Sequence, residues 1–139
     1  MMTALADQLQ DQLCGTANPV IENLQVVDLL NANPTPPSID IYPATPFTES
    51  IAYGRGARQY WFTVRVRVTT ADQNGGQELL LAMMDDGEPE SVEAALRQIK
   101  TYAGAQLGDI DGPSEYGSFT DTGQPGDMLG CTWRVALIT

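Results

Sequence analysis

The sequence predicts an α+β fold in a single domain over residues 1–139, a mostly antiparallel β-sheet with helices packed on one face. Three observations predict it. Tyr60, Phe62, Val64, Val66 and Val68 alternate with Trp61, Thr63, Arg65, Arg67 and Thr69, the period of a strand with one core face and one polar face. Leu129, Cys131, Trp133, Val135 and Leu137 repeat that period, so the two strands are expected to share a sheet. Between them, Leu79, Leu80, Met83 and Met84, then Val92, Leu96 and Ile99, recur at helical spacing.

The chain opens with Leu5, Leu9 and Leu13, every fourth residue, behind Thr3 as a cap and ahead of Gly15 as a stop. This is the pattern of a short amphipathic helix, with Asp7, Gln8, Asp11 and Gln12 on its other face. Asn18-Pro19 breaks the chain, and Leu24, Val26 and Val27 point to a short strand within residues 20–30. Three prolines between Asn33 and Pro37 impose an extended connection without regular hydrogen bonding. Ser38-Ile39-Asp40-Ile41-Tyr42 then alternates as a short strand that Pro43 is expected to stop, and residues 43–56, with Pro46, Gly54 and Gly56, read as a loop ending in a hairpin turn.

Burying the five apolar side chains of the 60–68 strand contributes roughly 1.5–3 kcal/mol each before entropy is charged, which predicts that this strand is the centre of the fold. Of the two later helices, the first is expected to be capped near Asp72 and ended by Gly87. The second is expected to start between Pro89 and Ser91 and to pair Glu93 with Arg97 one turn apart on its outer side. Residues 104–127, rich in Gly, Asp, Ser and Pro, are expected to form a long loop with room for a short strand from Tyr116 to Thr120.

Composition limits the function classes. With 18 acidic and 7 basic residues the formal charge is -11, which opposes general attraction to nucleic acid or anionic lipid. No stretch approaches the ~20 consecutive apolar residues of a membrane span, and Met1 to Gln12 hold no basic cluster followed by an apolar run, so neither a membrane helix nor a secretory signal is expected. Cys14 and Cys131 are read as reduced, partly buried thiols.

Histidine is absent, which removes the commonest general base and the commonest metal ligand. Asp109-Ile110-Asp111-Gly112 lacks the ligand spacing of a calcium loop and reads as an acidic turn. Asp85, Asp86 and Glu88 read as solvated acids at a helix end, and Gly54-Arg55-Gly56 is too short to cradle phosphate. No catalytic residue, metal site or cofactor site is therefore predicted, and the chain is not expected to be an enzyme. Trp61 lies on the polar side of its strand beside Arg65 and Arg67, which requires cover from a helix, with Asp7 and Asp11 as partners for the arginines, or from a partner protein.

Pro36-Pro37-Ser38-Ile39-Asp40-Ile41-Tyr42-Pro43, Tyr53-Gly54-Arg55-Gly56-Ala57-Arg58 and Phe62-Thr63-Val64-Arg65-Val66-Arg67-Val68, taken in this order, resemble segments of the tail terminator proteins of long-tailed siphophages, especially those infecting actinobacteria. The likeness continues through Gln77-Glu78-Leu79-Leu80-Leu81 with Met84-Asp85, Glu90-Ser91-Val92-Glu93-Ala94-Ala95-Leu96, Gly112-Pro113-Ser114 and Leu129-Gly130-Cys131-Thr132-Trp133-Arg134-Val135. It covers most of the chain, and its specificity comes from the order of the segments together.

The resemblance implies a virion protein of the tail-neck junction, assembled in the host cytoplasm, with no catalytic residue. Such a subunit forms a ring, typically a hexamer, on the end of the tail tube. The ring stops tube growth and docks to the head connector or stopper protein, while DNA passes through without specific binding. A ring needs one patch to meet a different patch on the next copy. The expected interface sets Arg55, Arg58, Trp61, Arg65 and Arg67 against Asp85, Asp86, Glu90 and Glu93. The competing readings are another head-tail joining ring and, in a different class, a small acidic module that binds a basic host protein.

Overall fold

The computed structural model describes residues 2–13, 21, 24–28, 37–50, 58–69, 75–85, 87–121 and 124–139. The described chain runs α1 (Met2–Leu13), β1 (Gln25–Val27), β2 (Ser38–Ser50), β3 (Arg58–Thr69), α2 (Gly75–Met84), α3 (Val92–Arg97), β4 (Thr101–Tyr102), β5 (Ala105–Asp121) and β6 (Gln124–Ile138). Its strands form one six-stranded sheet in the order β1-β2-β3-β6-β5-β4, antiparallel except for the parallel β1–β2 pair. The α+β class holds.

The two alternating runs are the middle of that sheet. β3 and β6 pair directly, with Val64 opposite Trp133 and Val66 opposite Cys131. Period-two alternation sends Phe62, Val64, Val66 and Val68 to the same face as Cys131, Trp133, Val135 and Leu137. All three helices pack there, α1 through Leu5, Leu9 and Leu13, α2 through Leu80 and Met83, α3 through Val92, Ala95 and Leu96.

Some elements depart from the sequence expectation for identifiable reasons. Thr3 lies inside the first turn of α1 and donates from Oγ1 to Asp28 Oδ2 at 2.7 Å, so it ties the helix to the end of β1 rather than capping it. Gln8, expected on the outer face of α1, is buried and donates from Nε2 to the Ala95 carbonyl at 2.9 Å, pinning α1 to α3. Ile99, expected on the core stripe of α3, lies beyond the helix end and is exposed. The caps expected at Asp72 and Gly15 and the hairpin turn at Gly54–Gly56 lie outside the described residues.

Pro43 does not stop β2. The strand continues to Ser50 with a register shift between Pro43 and Thr48. β1 pairs with β2 only as far as Asp40, so Pro43 sits where one side of the strand is a sheet edge and its missing N–H breaks no ladder.

The largest difference is at residues 104–127, where a long β5–β6 hairpin replaces the expected loop. The Gly, Pro and Asp content is accommodated by irregularities: the register shifts between Leu107 and Ile110, Asp111 and Ser114, Ser114 and Gly117, and Phe119 and Asp121. A Cβ at Gly112, whose φ is +126°, would lie 2.9 Å from the Thr132 carbonyl oxygen, so only glycine permits this approach of β5 to β6. Asp109 and Asp111, read as part of a turn, stand on this strand, with Asp111 opposite Arg134.

The expected helix start at Ser91 is present: its Oγ accepts from the Ala94 N–H at 3.1 Å, and Arg97 Nε donates to Glu93 Oε1 at 3.0 Å. Behind α3, the buried Tyr102 hydroxyl donates to the Leu96 carbonyl. Burial pushes both the Tyr102 phenol and the Cys131 thiol up to about 12. Cys131 is a free thiol, whereas Cys14 lies outside the described residues.

These two groups give the fold an alkaline limit. The unfolded chain releases the thiol proton from its ordinary value of 9.0 and the phenol proton from 10.0, while the folded chain holds both to about 12. Over that window the unfolded state binds fewer protons, so stability is full below pH 9 and falls as pH rises toward 12. Melting temperature measured between pH 8 and 11 should fall, and Cys131→Ala should remove the earlier part of the decline. An unchanged melting temperature to pH 11 would contradict this.

Candidate interaction surface

The sheet face away from the helices carries the charged residues of β3, and its chemistry is largely internal. Asp40 of β2 is fully buried and lies opposite Arg65 in the register. Its Oδ2 accepts from Arg65 Nη2 at 2.7 Å and its Oδ1 from Arg65 Nε at 3.1 Å, a two-point contact, and Arg67 Nη2 lies 3.4 Å from the same Oδ1. Arg67, two residues along β3 on the same face, is also fully buried. Cross-strand and diagonal neighbours on one face stand close enough for long side chains to meet, which is why one carboxylate reaches both cations.

The partners expected for these arginines, Asp7 and Asp11 of α1, do not take that role, because α1 packs on the opposite face. Neither does a helix cover Trp61. The Arg134 guanidinium lies over the indole, 4.4 Å from its centroid, and Ala44 and Ala136 complete a small buried cluster. Arg65 reaches in the same way over the Tyr42 ring at 5.4 Å, and the Tyr42 hydroxyl is raised above its ordinary value mainly by burial, which the Arg65 charge partly offsets.

Beside this ion pair a polar cleft of about 260 Å³ opens across the sheet, lined by Tyr42, Thr63, Ser114, Glu115, Thr132 and Arg134 among others. Its polar groups bond one another: Ser114 Oγ and Thr132 Oγ1 are 3.3 Å apart, and Thr132 Oγ1 donates to Glu115 Oε2 at 3.4 Å. Glu115 adopts a positive φ of 57°, at one of the irregularities that fold β5 back over β6.

The predicted interface residues thus separate into several settings. Arg58 is exposed at the start of β3, Arg65 is half-buried on Asp40, and Arg67 and Trp61 are buried, while Arg55 lies outside the described residues. On the acidic side, Asp85 is exposed after α2 with its Oδ1 accepting from the Gly87 N–H at 2.9 Å. Glu90 sits in the turn before α3, Glu93 pairs with Arg97 on α3, and Asp86 lies outside the described residues. Among the described residues, Asp40 is the acid that meets Arg65 and Arg67 in the ion pairs on this face, and Asp85, Glu90 and Glu93 lie on or beside the helices.

Sequence reasoning passed over Asp40, Arg134, Leu81 and Lys100. Asp40 and Arg134 had a signal in strand parity, since each falls on the polar face of an alternating run. Leu81 breaks the apolar stripe of α2, pointing outward at 51% exposure among Glu78, Ala82, Asp85 and Glu88.

Among the described residues no group of three or more His, Cys, Asp or Glu side chains stands together as a metal site, and no helix is long and apolar enough to cross a membrane. The fold and this surface define an α+β protein whose conspicuous side chains bind one another. No protein-family model matches the chain, and no curated protein matches it either.

Proposed function

We propose that this chain is a structural subunit of a phage tail, forming a ring that caps the tail tube, ends its polymerisation and joins the tail to the head connector. The observation that carries the reading is where the resembling segments fall. Residues 38–43, 62–68 and 129–135 are stretches of β2, β3 and β6, three neighbouring strands in the middle of the sheet. Residues 77–81 and 90–96 supply α2 and the capped start of α3, and residues 112–114 supply the close approach of β5 to β6. The likeness to tail terminators therefore follows the frame of the molecule rather than scattered surface positions.

Charge supports the same reading. An acidic wall around a channel lets DNA pass without holding it, and a net charge of -11 suits that task. A joining ring elsewhere in the neck would share these features and differ in what it touches.

Electron microscopy of the concentrated protein tests the ring directly. Closed rings with a central bore, six copies in each, are expected. A tight one-to-one complex with a basic host protein, with no rings at any concentration, would replace this reading with that of a host-directed binding module.

A further inference from the structure

Two exposed patches elsewhere on the molecule are opposite in charge and alike in having an apolar centre. The first lies where α3 runs into β4 and β5: Ile99, 40% exposed, and Leu107 line a groove of about 410 Å³ with Arg97, Lys100 and Gln106. The second is the outer face of α2, a shallow depression of about 340 Å³ formed by Leu81 and Ala82 and rimmed by Glu78, Asp85 and Glu88.

Leu81 and Ile99 differ from the other exposed large apolar side chains. Phe47 packs its ring on Tyr60 and Phe62, and the Tyr116 hydroxyl accepts from Gln77 Nε2. Neither Leu81 nor Ile99 belongs to the core or its margin, and each has charged neighbours of a single sign in its groove.

We infer that these two patches dock on each other between copies of this chain, Ile99 and Lys100 of one copy against Leu81 and Glu78 of the next. The argument for a second copy is electrostatic. A chain with 18 acids and 7 bases repels itself in most orientations, so an association between copies must place its few available cations on carboxylates.

Arg65 and Arg67 are committed to Asp40, and Arg134 lies over Trp61. Of the exposed cations among the described residues, Arg58 stands apart at the start of β3, whereas Arg97 and Lys100 share the Ile99 groove, and the Arg97–Glu93 pair is open to solvent on both sides, a kind of contact weak enough to admit a second carboxylate. The apolar centres supply the area that leaves water, and the rims set the orientation. Because the patches differ, the contact is head-to-tail and repeats from copy to copy until a ring closes or a filament grows. This contact deepens the ring reading by assigning its interface, and it also stands without a phage tail.

The test is a charge swap read by sedimentation velocity. One variant carries Arg97→Glu and Lys100→Glu; the other carries Glu78→Lys and Asp85→Lys. All four side chains are exposed, so both variants should keep the wild-type circular dichroism and melt within a few degrees of it. The wild-type protein should self-associate, more weakly at 0.5 M salt than at 0.05 M, and each variant alone should associate about tenfold more weakly or more. Mixed in equal amounts, the two variants should recover association, since every contact in an alternating chain again joins opposite charges.

A wild-type protein that stays monomeric at millimolar concentration, variants that associate as the wild type does, or a mixture that does not recover would each overturn the inference. The failures are separable. Variants that still cap tail tubes normally would discard this contact and keep the ring reading, whereas a confirmed contact in a protein with no effect on tubes would do the reverse.

Discussion

Replacing Asp40 by alanine is expected to destabilise the fold by about 3–5 kcal/mol, because it takes a fully buried carboxylate away from beside an Arg67 that has no exposed surface. Against the 5–15 kcal/mol that holds a typical domain folded, this is a large fraction. The asymmetry of buried charge makes the prediction specific. Removing one partner leaves an uncompensated ion in a medium that solvates it poorly, whereas removing both with apolar side chains of similar volume is often nearly neutral.

Asp40→Val with Arg67→Met should therefore be more stable than Asp40→Ala alone. Arg65 survives the loss of its partner more easily, since its guanidinium keeps some access to water. Urea unfolding of the wild type, the single variants and the double variant forms a cycle whose coupling energy measures the pair. A double variant that loses the sum of the single losses would show that Asp40 and Arg67 act independently, contrary to the geometry.

Trp133→Ala is expected to cost a similar amount, about 3–5 kcal/mol, through the cavity it leaves. Trp133 is among the largest fully buried side chains and sits opposite Val64, where β3 and β6 pair beneath the helices. Its surroundings have little freedom to collapse, because β5 comes close at Gly112 and a Cβ there would already lie 3.3 Å from the indole Cδ1.

The indole Nε1 is buried and has no hydrogen-bond partner among the described residues. Tryptophan here acts as bulk, and its N–H contributes an unmet cost. Trp133→Phe, which removes that donor along with part of the volume, should therefore lose far less than Trp133→Ala. Equal losses for the two substitutions would indicate that the indole nitrogen makes a bond of consequence.

The contrast between these residues shows what was legible in the sequence. Trp133 and its neighbours on β6, and the even-numbered residues of β3, were placed by alternation alone, because a strand with one dry face records that face at every second position. Asp40 was visible as a polar residue between Ile39 and Ile41, but its partners were not, since cross-strand register is set by residues far away in the chain. The carboxylates of α1 offered a local answer for Arg65 and Arg67 that the sheet geometry overruled.

β5 was hidden for a related reason. Its Gly, Asp, Ser and Pro content is that of a loop when read locally, and it becomes a strand through its pairing with β6, which tolerates four register shifts along its length. Among the described residues only β4 pairs with the other side of the strand, over a short stretch, so each irregularity disturbs only one described ladder. Of the predicted interface residues, Asp85 is exposed and Glu90 and Glu93 are partly exposed, while Arg67 and Trp61 turned inward. The alternation that marks a polar face does not tell whether that face meets water or a second layer of its own side chains.

Tail-tube length is the measurement closest to the central claim. Purified tube protein polymerised with increasing amounts of this chain should give shorter tubes, with rings on their ends and no further growth once every end is occupied. Tubes whose length distribution is the same with saturating protein as without it would contradict the capping role.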